Sequence, residues 1–218
     1  MSNLILAFDI GIKNLSVAAV SQSASNPTTA IIHAWRLLPL MPEERKTKPP
    51  QEQLMMTLFN HLDELVEELE DSIPGVDLEV IIENQPSRIN GTMKTVQTWI
   101  QTYFMLRKHW AVGMQAVASV HLVSAKQKLV GHDHEPIGAK GEVGSYRWNK
   151  TAAVVITQAY IGSGSAWFCE MYAESKKKDD LADALLHAIA WMRRQGKMVA
   201  NVVDGAVALD EPNMFNQD

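Results

Sequence analysis

Cysteine is almost missing from this chain. Cys169 stands alone among 218 residues, so no intrachain disulfide can staple the fold, which agrees with a reducing compartment. No stretch approaches the roughly 20 uninterrupted apolar residues that a membrane-spanning helix needs, and this excludes an integral helical membrane protein. The Cys/His spacing of a structural zinc site is also missing, as are internal repeats and low-complexity tracts. The start of the chain lacks the basic stretch and small-residue cleavage site of a signal peptide, and the Arg/Ser-rich character of a transit peptide. The expected location is therefore the cytoplasm, or the host cell if the chain is viral or phage-borne. Base is locally scarce too: residues 51–83 hold ten acids and no Lys or Arg.

What is present is ordinary globular composition, 46% hydrophobic and 21% charged, enough for one good-sized domain. The net charge of −5 is unevenly spread: residues 86–150 hold nine bases against three acids, a net of +6. One region repels a polyanion and another attracts it. "LILAFDI" (4–10) is a buried strand running into a turn at Gly11. "LSVAAVSQ" (15–22) and "TAIIHAWRL" (29–37) follow as hairpin partners. A Pro-rich connector (39–50) leads to an amphipathic helix over 51–71, with Leu54, Leu58, Leu62, Leu65 and Leu69 at helical spacing. "LEVIIEN" (78–84) and "ASVHLVS" (118–124) read as a fourth and fifth strand, and 91–112, 146–160 and 179–194 as further helices. The glycine-rich segment 125–144, with His132 and His134, reads as a loop. The whole predicts an α/β three-layer domain over 1–195 around a mixed five-stranded sheet, then an acidic, weakly structured tail over 196–218.

Four acids stand out. Asp9 and Glu83 end predicted strands, where ligands collect in such sheets. Asp180 and Asp183, in "KKKDDLADAL", share a helix face on a run that is otherwise apolar. Unpaired, these carboxylates repel and raise one another's pKa, and a divalent cation relieves that repulsion. An all-oxygen set favours Mg²⁺ or Mn²⁺ over Zn²⁺. Two such ions would suit phosphodiester hydrolysis. Asp179, pointing elsewhere, is expected to cap the helix. His187 follows Asp183 on the same face and reads as a buried histidine bonded to a carbonyl, or as a proton relay. Cys169 reads as structural.

Four motifs in order, "FDIGIKNLSVAAV", "IIENQPSRINGTMK", "VSAKQKL" with "YRWNKTAAV", and "KKKDDLADALLHAIAW", resemble the Holliday-junction resolvases of the RuvC-type branch of the ribonuclease H-like fold. The resemblance is nearest to the fungal mitochondrial and poxvirus resolvases and spans about residues 4–194. It implies a ribonuclease H-like sheet, catalytic and metal-binding roles for Asp9, Glu83, Asp180 and Asp183, Mg²⁺ or Mn²⁺, a homodimer, and paired nicks across a four-way DNA junction. It further implies DNA contacts from Gln85, Arg88, Lys126, Lys128, Arg147, Lys150 and Lys176, Lys177 and Lys178. Neither a membrane nor a small-molecule substrate is expected. The 91–112 helix, with Met93, Val96, Trp99, Ile100, Phe104 and Met105, is the expected dimer interface.

Three rivals compete with this reading. An actin-like or sugar-kinase ATPase shares "DIGIKN", but the chain is short for one and carries no second Asp-Gly-Gly loop. A proofreading-type exonuclease normally has Asp-x-Glu on its first strand, where this chain has Asp9-Ile10-Gly11. A catalytically dead junction binder has no use for four destabilising acids.

Overall fold

The computed structural model describes residues 3–42, 44–86, 90–110, 116–130, 145–162 and 166–204. Six strands form one mixed sheet: β1 (Leu4–Asp9), β2 (Ser16–Gln22), β3 (Thr29–Leu37), β4 (Leu78–Glu83), β5 (Val117–Val123) and β6 (Asn201–Asp204), in the order β5-β4-β1-β2-β3-β6. The first three strands pair antiparallel, as their short connections require. β4 and β5 then join on the other side of β1 in parallel. Parallel pairing needs crossovers, supplied by α1 (Gln51–Ser72) between β3 and β4 and α2 (Gly91–Trp110) between β4 and β5.

β1 is central and every one of its residues is buried, which explains why it reads as an unbroken apolar run. Its side chains alternate between two cores. Leu4, Leu6 and Phe8 pack with the leucine stripe of α1 and with Val96, Ile100 and Phe104 of α2. Ile5 and Ala7 pack on the opposite face against α3 (Tyr146–Ile161), α4 (Ala166–Glu174) and α5 (Lys178–Arg194). Small residues at this second interface, Ala7, Ala18, Ala182, Ala184 and Ala188, let α5 lie across β1 and β2. Its first turn is fastened there: Ser16 Oγ donates to the Asp180 carbonyl at 2.6 Å and Trp35 Nε1 to the Leu181 carbonyl at 2.9 Å.

The sheet has six strands where five were expected. β6 runs parallel to β3 inside the segment read as a tail, with Val199 and Val202 buried; residues 205–218 lie outside the described part. α4 was not anticipated, and a 3₁₀ turn (Ala125–Leu129) begins the segment read as a loop. Val96, Ile100 and Phe104, expected at a dimer interface, are spent in the chain's own core. Met105, Leu106 and Trp110 are the apolar residues α2 leaves exposed.

Candidate active site

Because β1 and β4 run parallel, Asp9 and Glu83, their last residues, arrive at the same edge of the sheet. Gly11 starts the turn that follows: a Cβ there would lie 2.8 Å from the Asn14 carbonyl oxygen, so the chain can fold back tightly only with glycine. α5 crosses this edge and sets Asp183 and His187, one turn apart and both buried, over the strand ends. Among the described residues, Asp9, Glu83 and His187 bring one ligand atom each to within 4.8 Å of one another.

Glu83 is held from several directions. His187 Nε2 lies 3.1 Å from its Oε2, and Gln85 Nε2 donates to its Oε1 at 2.9 Å. Gln85 is itself pinned, its backbone N–H donating to Oε1 of the buried Gln97 at 2.8 Å, and Lys94 Nζ donates to the same oxygen at 3.0 Å. The "ENQ" that begins with the last residue of β4 is thus locked onto α2 before the chain turns away.

Lys128, on the 3₁₀ turn after β5, is buried and reaches into the cluster. Its ammonium pairs with Asp183 Oδ2 and stands 3.7 Å from Glu83 Oε2. Burial would lower its pKa, but the charges of Asp183, Asp9 and Glu83 outweigh that and raise it, so it stays cationic. Burial, reinforced by the charges of Glu83 and Asp183, pushes Asp9 well above the usual carboxylate range. Glu83 goes the other way. Burial alone would raise it, yet hydrogen bonds with His187 and Asp9 and the Lys128 charge hold it at about 2. Asp183 is raised by burial, partly offset by Lys128. The corner therefore holds clustered acids around the Lys128 ammonium, and among the described residues Asp183 Oδ1 is buried there with no hydrogen-bond partner. Such a donor set fits a hard divalent cation, which would satisfy the orphaned oxygen and the raised carboxyls together.

Asp180 stands at the margin. Burial raises its pKa, and the charges acting on it are those of Asp179, Lys150, Lys177 and Asp183. Asp179 does not cap α5, whose N-cap is Lys177 without a side-chain cap bond; it pairs with Lys150 instead. That pairing commits Lys150, and Lys128 faces the acids rather than solvent, so two expected DNA contacts sit differently from their expected positions. Gln85 is buried beneath Glu83. Lys126, Arg147 and Lys176 are exposed, Lys177 and Lys178 partly so. Arg88, His132 and His134 lie outside the described residues. Cys169 donates to the Ile161 carbonyl at 3.1 Å, in line with a structural role. Sequence reasoning undervalued His187 and misplaced Lys128. The spacing of His187 four residues after Asp183 was the available signal; for Lys128 the sequence held none that separates it from the neighbouring Lys126.

A family model described as mitochondrial resolvase Ydc2 / RNA splicing MRS1 matches residues 5–107, a stretch that contains Asp9 and Glu83. Among solved structures, the yeast mitochondrial Holliday junction resolvase Ydc2 superposes with a TM-score of 0.59 at 20% identity, over 89% of this chain and 81% of that one. A fowlpox virus resolvase, solved with Holliday junction DNA, gives 0.50 at 15% identity, over 89% and 99% of the two chains. Thermus thermophilus RuvC gives 0.50 at 15%, over 89% and 97%. No curated protein matches. The resemblance read from the motifs is borne out, and the fold is the one these resolvases share.

Proposed function

We propose that this chain is a metal-dependent endonuclease that resolves four-way DNA junctions by paired symmetric nicks, acting as a homodimer. The observation that carries the reading is the convergence of Asp9, Glu83 and His187 at one sheet edge, with Asp183 joined to Glu83 through the buried Lys128 ammonium, in a fold shared with Holliday junction resolvases. Asp9, Glu83 and Asp183 would hold Mg²⁺ or Mn²⁺, with Asp180 at the margin serving a second ion. Bound there, the ions supply an activated water and stabilisation of the leaving oxygen. The protein's own groups do the positioning. His187 and Gln85 fix the Glu83 carboxylate, Ser16 fixes the start of α5, and Lys128 balances the cluster's charge. Exposed Lys126, Arg147 and Lys176 and partly exposed Lys177 and Lys178 would meet phosphates. We place the activity in the cytoplasm or in the host cell of a virus or phage; no helix of the described residues is long and apolar enough to cross a membrane.

The test is purified protein with Mg²⁺ and an end-labelled four-way junction, run beside an ATP hydrolysis assay. Symmetric nicks without ATP turnover are expected. Asp183→Asn should lose cleavage by several orders of magnitude, while still folding and binding the junction as tightly or more so, because one negative charge facing the phosphates is gone. Asp179→Asn should cut nearly as well as wild type, with Lys150 losing only a partly exposed partner. An Asp183→Asn protein that cuts at the wild-type rate would refute the metal reading.

A further inference from the structure

Lys128 carries its charge into the acidic corner and is buried there. Its ammonium pairs with Asp183 Oδ2 and stands 3.7 Å from Glu83 Oε2, so it bridges a carboxylate of α5 and one at the end of β4. Asp9, at the end of β1, acts on the same charge. One ammonium thus answers to acids from three elements, the same acids assigned above to a divalent ion. The segment that delivers it is short and anchored: a single 3₁₀ turn, Ala125–Leu129, entered from β5. The Gln127 N–H donates to the Ser124 carbonyl at 2.9 Å, and the Val130 N–H to the Gln127 carbonyl at 3.1 Å. Leu129 packs against the core that holds Leu185 and Ile189 of α5. The backbone is therefore held on both sides of Lys128, and what can move is its flexible stem. An ammonium and a divalent ion on the same buried carboxylates repel each other strongly, because little water lies there to screen them. An ion shared by Glu83 and Asp183 also needs the space that the bridging ammonium fills.

We propose that the Lys128 ammonium is a resident stand-in for a divalent cation, which has to displace it in order to be shared by Glu83 and Asp183. Lys128 stays charged throughout; it changes place, not protonation. It thereby sets how much metal the site demands before the acids are handed over. The proposal rests on the metal-dependent nuclease reading above and adds how this chain's own lysine answers the ion.

The test measures metal binding without DNA, on wild type, Lys128→Met and Lys128→Arg after treatment with chelator. Mn²⁺ is titrated in, and the free ion is counted by its electron paramagnetic resonance signal. Lys128→Met should bind Mn²⁺ at least about tenfold more tightly than wild type, because the ion no longer evicts a paired charge. Lys128→Arg keeps the charge and should show no such gain. A merely structural role would move the affinity the other way, since a loosened corner holds metal less well. In wild type, amine-reactive labelling of Lys128 should speed up relative to the exposed Lys126 when Mn²⁺ is added, a measurement that needs no variant to fold. Lys128→Met binding Mn²⁺ no more tightly than wild type, or Lys128 labelling that Mn²⁺ leaves unchanged or slows, overturns the proposal. The two readings fail separately. A protein that shows this competition but leaves four-way junctions uncut sinks the nuclease reading and keeps the proposal, and cutting without the competition does the reverse.

Discussion

Burying Asp9, Glu83 and Asp183 within reach of one another sets like charges in a poorly solvated corner, and the fold answers with the Lys128 ammonium and the His187 ring. Removing one partner of a buried pair leaves an uncompensated charge, which typically destabilises by about 3–5 kcal/mol. Lys128→Met should therefore lower the stability of the metal-free protein by about 3 kcal/mol in urea titrations with chelator, and Mg²⁺ should restore most of it. Equal stability of variant and wild type in chelator would mean that Lys128 is not the counter-charge. Asp9 makes the complementary case. Its folded pKa is raised well above 3.8, so between those two values the native state keeps a proton that the unfolded chain has released. Stability contributed by this group then falls as pH rises through that window. Glu83 has the opposite sign: held at about 2 against an ordinary 4.5, it contributes stability that is lost as pH falls between those values. Asp9→Asn should raise the metal-free midpoint at neutral pH and remove the downward slope above pH ~4, leaving the acid-side loss in place. A variant whose stability–pH curve overlays wild type would show that the Asp9 carboxyl is not under this pressure.

At the scale of elements, what the sequence made legible depended on how local the physics was. β1 announced itself because a strand covered on both faces must be apolar throughout, and α1 because its leucines repeat at helical spacing. The acids were legible for the related reason that a carboxylate inside an apolar run needs a partner. Lys128 was not: its burial is decided by Asp183, Asp9 and Glu83, which come from three other elements, and nothing in "SAKQKL" distinguishes it from Lys126, which is exposed. α4 was obscured because its nine residues, "AWFCEMYAE", are apolar with little alternation and follow a glycine-rich stretch. β6 has only four residues, too few to show a period, and it exists because β3 offers an open edge. There Thr29 Oγ1 donates to Asn201 Oδ1 at 2.7 Å, and the Ala200 N–H donates to the Thr28 carbonyl at 2.8 Å. A dispensable tail and a sheet edge make different predictions on truncation. Ending the chain after Gly196 exposes the contacts of Val199 and Val202, each worth about 1.5–3 kcal/mol when fully buried. Loss of roughly 3 kcal/mol in a denaturant titration is expected, and an unchanged midpoint would return the segment to the status of a tail.

For the molecule as a whole, the charge is sorted: residues 51–83 carry ten acids and no Lys or Arg, while residues 86–150 carry a net of +6. A four-way junction presents two equivalent strands, and one active site cannot address both at once. Coordinated cutting calls for a second copy related by a two-fold axis, whose interface must be the same patch on both subunits. The expected apolar residues of α2 are mostly turned inward, but Met105, Leu106 and Trp110 are exposed at its C-terminal end, Trp110 by 67%. Isolated exposed apolar residues are ordinary; three within six positions on one helix end suit a small isologous contact. Sedimentation of wild type without DNA should give a particle near twice 24.3 kDa. Leu106→Glu puts like charges opposite each other across a two-fold axis and should shift the protein to monomer. On a supercoiled plasmid with an extruded cruciform, paired nicks within one binding event give linear product, whereas independent nicks give relaxed circles first. Wild type should give mainly linear DNA and Leu106→Glu mainly nicked circles, with the first cut still made because the acids at the sheet edge belong to one chain. A strictly monomeric wild type that yields linear product directly would show that the two cuts are coordinated without a dimer.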